Sequence, residues 1–89
     1  MFPTQKITGK QLSAARSLLG LKQEELAEAA DVNRITLVKI ENEQAQPHLK
    51  TMERIRAVLE MRGIEFTNGD GIGVRLRYKS SGDTKPTAP

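Results

Sequence analysis

Residues 21–43, LKQEELAEAADVNRITLVKIENE, decide how the rest of the chain is read. Apolar residues at helical spacing predict one helix from about Lys22 to Ala30 and a second from about Asn33 to Asn42, with a tight break at Asp31–Val32. The second helix divides into two faces. At about 100° per residue, Arg34, Ile35, Val38, Lys39 and Asn42 fall within one arc of roughly 140°. Thr36, Leu37 and Ile40 lie on the other side. A short helix held by one face and presenting cations and branched alkyl groups on the other is expected to meet something outside the fold.

The flanking segments supply what that pair of helices packs against. Thr8 followed three residues later by Gln11 is a capping-box pattern. It opens a helix over Gly9–Leu19 with the apolar stripe Leu12, Ala15 and Leu19, Leu18 on its shoulder, and Gly20 as its stop. Leu26, Ala27 and Ala30 point inward from the next helix. Glu24 and Glu25 sit in its first turn, where acids oppose the positive end of the helix dipole, and Asn33 is a good N-cap for the helix after it. Pro47 blocks continuation of that helix. A fourth runs from His48 or Leu49 to Met61 with the stripe Met52, Ile55 and Leu59, Leu49 and Val58 on its edges, and Gly63 as the stop.

The periodicity then changes from 3.6 to 2. Ile64 and Phe66 alternate with Glu65 and Thr67, and Val74, Leu76 and Tyr78 alternate with Arg75, Arg77 and Lys79. Between the two runs lies NGDGIG, rich in residues that tolerate positive φ, so a β-hairpin is predicted with its three cations on one face. A lone hairpin is marginal in water. It must pack on the fourth helix, pair with a second copy of itself, or both. Met61 falls about 180° from Met52 on the helical wheel and joins Ile64, Phe66, Val74, Leu76 and Tyr78 as the expected dimer contact. The chain therefore divides into a flexible arm (1–7), a helical domain (8–63), the hairpin (64–79) and a disordered tail (80–89).

Eighty-nine residues suit one small domain with a modest core. Cysteine is absent, which excludes disulfides, thiolate metal sites and a cysteine nucleophile. Fourteen Lys and Arg against eleven Asp and Glu give a formal charge of +3, which permits a polyanionic partner without requiring one. Seven of the eleven acids lie between Glu24 and Glu53, and Arg75, Arg77 and Lys79 cluster near the end. His48 has no companion of metal-ligand spacing. Gly69, Gly71 and Gly73 sit between two strand patterns, whereas a phosphate loop opens a helix. No catalytic set, metal or cofactor is expected. The opening MFPTQKITGK has no signal-peptide core, and no run approaches the roughly 20 apolar residues of a membrane span. The expected location is the cytoplasm.

From Leu12 to Leu59 the chain resembles the Xre-type helix-turn-helix family, the group that includes the small phage repressors and Cro proteins. The residues that carry the resemblance are Arg16 in LSAARSLLGL, Gln23 and Leu26-Ala27 in KQEELA, Val32-Asn33-Arg34 in DVNR, Ile40-Glu41-Asn42, and Pro47. The resemblance implies a mainly α, λ-repressor-like domain of four helices, here followed by a C-terminal β-hairpin. It implies a sequence-specific DNA-binding regulator, a repressor acting as a homodimer on double-stranded DNA. Gln23 would hydrogen-bond a phosphate and Asn33 would cap the reading helix. Arg34, Ile35 and Lys39 would face base edges, with Thr36 and Val38 beside them, and Asn42 would approach the DNA backbone. Arg16 and Glu41 would form a salt bridge clamping the first helix to the third.

Three positions depart from the family pattern. Lys22 replaces the usual Ser or Thr cap, gaining a possible phosphate contact of its own. Asp31 and Glu43 stand where glycine is common, and Glu43 brings a negative charge toward the expected DNA backbone. Two other readings use the same residues: an antitoxin that represses its own operon and also binds a toxin, and a protein-interaction adaptor that docks a partner on Ile35 and Val38.

Overall fold

The computed structural model describes residues 7–77. Tyr78, Lys79 and the segments 1–6 and 80–89, which include the expected arm and tail, lie outside the described residues. Four helices precede one hairpin: α1 (Gly9–Leu19), α2 (Gln23–Ala29), α3 (Arg34–Glu41), α4 (Leu49–Met61), β1 (Ile64–Thr67) and β2 (Gly73–Leu76). Among the described residues no helix is long and apolar enough to cross a membrane.

The helix ends follow from a small set of local devices. Thr8 caps α1, its Oγ1 accepting from the Gln11 amide at 3.2 Å while Gln11 Oε1 accepts from the Thr8 amide at 2.9 Å. Asn33 Oδ1 caps α3, accepting from the Ile35 amide at 2.8 Å and the Thr36 amide at 3.4 Å. Lysine has no acceptor, so the start of α2 keeps only half of such an arrangement, the Lys22 amide donating to Glu25 Oε1 at 2.8 Å. His48 holds the N-cap position of α4 without a side-chain bond.

Helices α1, α2 and α3 all end in one way. A left-handed residue follows each: Gly20 at φ 71°, Asp31 at φ 58° and Glu43 at φ 59°. Paired backbone bonds close each turn, including Leu21 N–H to Arg16 O, Val32 N–H to Ala27 O and Gln44 N–H to Lys39 O. Two of these positions therefore place an L side chain where glycine is favoured. Among the described residues, only at Glu43 does the side chain itself gain a contact. Arg54 of α4 donates to the carbonyls of Ala30 and Asp31, tying the α2–α3 turn to α4. Glu43 Oε2 accepts from the Gly9 amide at 3.0 Å, so its charge is directed to the N-terminus of α1.

The core gathers Leu12 and Ala15 from α1, Leu26, Ala27 and Ala30 from the α2 segment, Leu37 and Ile40 from α3, and Ile55 and Leu59 from α4. Ile64 of β1 is only 2% exposed, and Phe66 and Val74 pack against the same cluster. The hairpin thus completes the helical core, lying against α1 through β2 and against α4 through β1. The strands pair antiparallel with Ile64 opposite Leu76 and Phe66 opposite Val74. Gln11 fixes the hairpin to α1. This buried amide donates to the carbonyls of Gly73 at 2.9 Å and Thr67 at 3.2 Å, where the ladder ends. Gly9 allows α1 to approach α3, since a Cβ there would come within 2.4 Å of the Ile40 and Glu41 carbonyl oxygens.

Three expectations are corrected by this packing. Ile7, assigned to the arm, is buried in the core. Ile64, assigned to a dimer contact, is in the core as well, and Phe66 and Val74 turn the same way. Period-2 alternation identifies one apolar face of a hairpin without saying whether that face meets its own helices or a second chain. Leu49, expected at the edge of the α4 stripe, is exposed.

Candidate nucleic-acid interface

The site is the outer surface of α3 and the start of α2. Leu37, Ile40 and Glu41 anchor α3 from below, and the residues of its first turn are exposed all round: Asn33, Arg34, Ile35 and Thr36. Thr36 corrects the wheel reading, which placed it inward. A wheel projects a helix along its axis and omits how far each turn extends from the body. In the structure Asn33 to Thr36 are all exposed, so Thr36 is not covered. Lys39 and Asn42 are also exposed, whereas Val38 is half-buried. Ile35 is 60% exposed at the centre of the surface.

Charge on this surface is uncommitted. Among the described residues no carboxylate pairs with Arg34, Lys39 or Lys22. The hairpin cations differ: Arg75 and Arg77 both donate to Glu65, which lies between them on the solvent face. The hydrogen bond from Arg75, with the charges of Arg75 and Arg77, holds the Glu65 carboxyl below its ordinary value of 4.5. One carboxylate thus offsets one of their two positive charges within the hairpin. Lys79, expected on that face, lies outside the described residues.

Behind the surface, Arg16 and Glu41 meet as expected. Arg16 Nε donates to Glu41 Oε2 at 2.8 Å and Nη2 donates to Oε1 at 3.0 Å, a two-pronged pair with the Glu41 side chain only 3% exposed. Arg16 Nη1 also donates to the Leu21 carbonyl at 2.9 Å, at the entry to α2. Gln23 Nε2 adds a third donor to Glu41, 3.0 Å from Oε1. That link joins the first residue of α2 to the last of α3. The sequence carried no signal for it, because the two residues are 18 positions apart and each already had a separate expected role.

Of the residues expected at a dimer contact, Met61 is 79% exposed and Leu76 is partly so, and Ile72 in the hairpin loop adds a third exposed apolar side chain. Among the described residues no group of three or more His, Asp or Glu side chains is placed to hold a metal ion.

The comparisons with known proteins agree with this geometry. A family model described as helix-turn-helix matches residues 12–66, well over half of the chain. Among solved structures, the chain is similar to the restriction-modification controller protein C.AhdI from Aeromonas hydrophila. The two are 27% identical, with 58% of this chain and 79% of that one covered and a TM-score of 0.57. It is also similar to the N-terminal DNA-binding domain of SinR from Bacillus subtilis, 32% identical over 58% of this chain and 77% of that one, with a TM-score of 0.56. In a complex of SinR protein with SinI protein, the match is 33% identical over 61% of this chain and 53% of that one, with a TM-score of 0.57. No curated protein matches the chain. By the span of the family match, the four-helix frame and the α2–α3 arrangement, this chain belongs to the helix-turn-helix family of the Xre and Cro type.

Proposed function

We propose that the protein is a sequence-specific transcriptional regulator that binds double-stranded DNA by inserting α3 into the major groove. The observation that carries this reading is the first turn of α3, exposed all round and bearing Arg34 with no carboxylate partner among the described residues. Such a turn can enter a groove without losing contacts to its own fold. Arg34 and Lys39 donate to guanine O6 and N7, and Ile35 packs on a thymine methyl. Val38 is half-buried and contributes less. Thr36 lies beside these contacts. Lys22, Gln23, Asn33 and Asn42 lie along the margin and meet phosphates, which fix register without reading sequence.

The protein acts as a homodimer, with two copies of α3 about 34 Å apart in successive major grooves. Its exposed Met61 and Leu76 supply the contact between copies. It represses, because occupancy of a promoter blocks transcription with no surface beyond the one described. A protein partner is a second reading, favoured by Ile35, which leaves an alkyl group in water at the centre of the surface. It covers the antitoxin and adaptor alternatives. Fluorescence anisotropy on duplexes from the region upstream of the gene separates the readings. Arg34→Ala and Lys39→Ala are each expected to weaken binding to the preferred duplex by about 1–3 kcal/mol and to flatten its preference over other sequences. Unchanged binding in both variants would remove α3 as the reader.

A further inference from the structure

Glu41 has more partners than a clamp between α1 and α3 requires. Its two oxygens receive Arg16 Nε, Arg16 Nη2 and Gln23 Nε2 at 2.8, 3.0 and 3.0 Å. The third arm of Arg16 holds the Leu21 carbonyl, just before Lys22 and Gln23. Two of these four bonds, Gln23 to Glu41 and Arg16 to Leu21, end at the start of α2. A carboxylate only accepts, so the Gln23 amide is fixed with its nitrogen toward Glu41. That nitrogen carries two hydrogens. One is taken, and the other has no partner among the described residues, on a half-buried side chain next to the exposed ammonium of Lys22.

We infer that Glu41 is a positioning residue for DNA binding, one that holds the Gln23 amide so that its second N–H is presented to a phosphate oxygen. The inference rests on the DNA-binding reading above and says how one of its contacts is made. A free glutamine presents its carbonyl as readily as its nitrogen, and the carbonyl repels a phosphate oxygen. Holding the nitrogen in place removes that orientation and lowers the rotamer entropy lost on binding. Arg16 is essential to the arrangement, because an unpaired carboxylate would otherwise lie one hydrogen bond behind the phosphate. Glu41 is also the last residue of α3. The group that aims the phosphate donor therefore moves with the reading helix, and backbone contact and base contact share one register.

The test is side-chain amide NMR of the wild-type protein, free and with two short duplexes, one carrying the preferred site and one of unrelated sequence. The expected result is that of the two Gln23 Nε2 proton resonances one moves on binding either duplex, while the other, held by Glu41, keeps its place. In parallel, Gln23→Ala, Glu41→Gln and the double variant are titrated with both duplexes, under conditions where circular dichroism shows each variant folded. Each single substitution is expected to weaken binding roughly three- to ten-fold on both duplexes, and the double no further than Gln23→Ala alone. Should Glu41→Gln fail to fold, Glu41→Asp, which keeps the charge but draws the carboxylate back from Gln23, takes its place in the cycle. A Gln23 resonance that stays put while the α3 backbone amides shift overturns the inference and leaves the DNA-binding reading standing. Additive losses in the double variant do the same. Unmoved α3 amides with both duplexes would instead remove the DNA-binding reading.

Discussion

Asp31 and Glu43 carry the same backbone conformation with different surroundings, which makes them a matched pair. Both sit in the left-handed region, at φ 58° and φ 59°, where an L side chain costs roughly 1–2 kcal/mol and glycine does not. Among the described residues the Asp31 side chain has no hydrogen-bond or ion-pair partner, and its contact with Arg54 runs through its carbonyl. Asp31→Gly is therefore expected to stabilise the domain by about 0.5–1 kcal/mol in urea denaturation, after the greater freedom of glycine in the unfolded chain is offset. Glu43→Gly gains the same relief and loses the bond to the Gly9 amide, which contributes about 1 kcal/mol as a helix cap does. Its net change is expected to be near zero or unfavourable. Equal gains at the two positions would show that the Glu43 contact contributes nothing.

The hairpin depends on its clasp to α1. Gln11→Ala leaves the Thr8 amide without its acceptor and frees the Gly73 and Thr67 carbonyls at the end of the ladder. It is expected to cost about 1–3 kcal/mol and to speed hydrogen exchange at residues 64–76 more than along α4. A uniform rise across the domain would contradict a local clasp. The solvent face has its own pH dependence. Glu65 has a folded pKa below its unfolded one, so its contribution is present above the unfolded value and fades as pH falls through the folded one. Cross-strand contact at Glu65–Arg75, followed by NMR, should loosen in acid titration only below the ordinary carboxylate range. A Glu65→Gln variant should lack that step. Elements of this kind differ in how far they could be read beforehand. Helix α1 was legible to the residue, and α4 to within one residue at its start, because caps, stops and stripes are local. The hairpin was legible as a hairpin, and its partner was not. The contacts of Gln11 to residues 67 and 73, of Gly9 to α3 and of Arg54 to the α2–α3 turn join distant positions, and composition holds no trace of them. At the site, Arg16–Glu41 was accessible only through family resemblance, and the Gln23–Glu41 link was not accessible at all.

At the scale of the molecule, the fold presents one reading surface, and a palindromic site needs it twice. On the proposed homodimer reading, with Ile64, Phe66 and Val74 occupied by the core, Met61 and Leu76 are the expected contact residues left exposed among the described residues. Light scattering is expected to show a dimer that Met61→Asp with Leu76→Asp converts to a monomer. Thermal stability should change little for Met61→Asp, at a residue 79% exposed, and fall for Leu76→Asp, at one only 37% exposed and paired with Ile64. A dimer that survives both changes would place the contact elsewhere. The central claim, that the outward face of α3 reads DNA sequence, is tested most directly by selecting bound duplexes from a random pool with the wild type and with Arg34→Ala. The account predicts a two-fold symmetric site with half-site centres about 34 Å apart, and loss of preference at one or two positions of each half-site in the variant. No enriched sequence, or one that Arg34→Ala leaves unchanged, would contradict it.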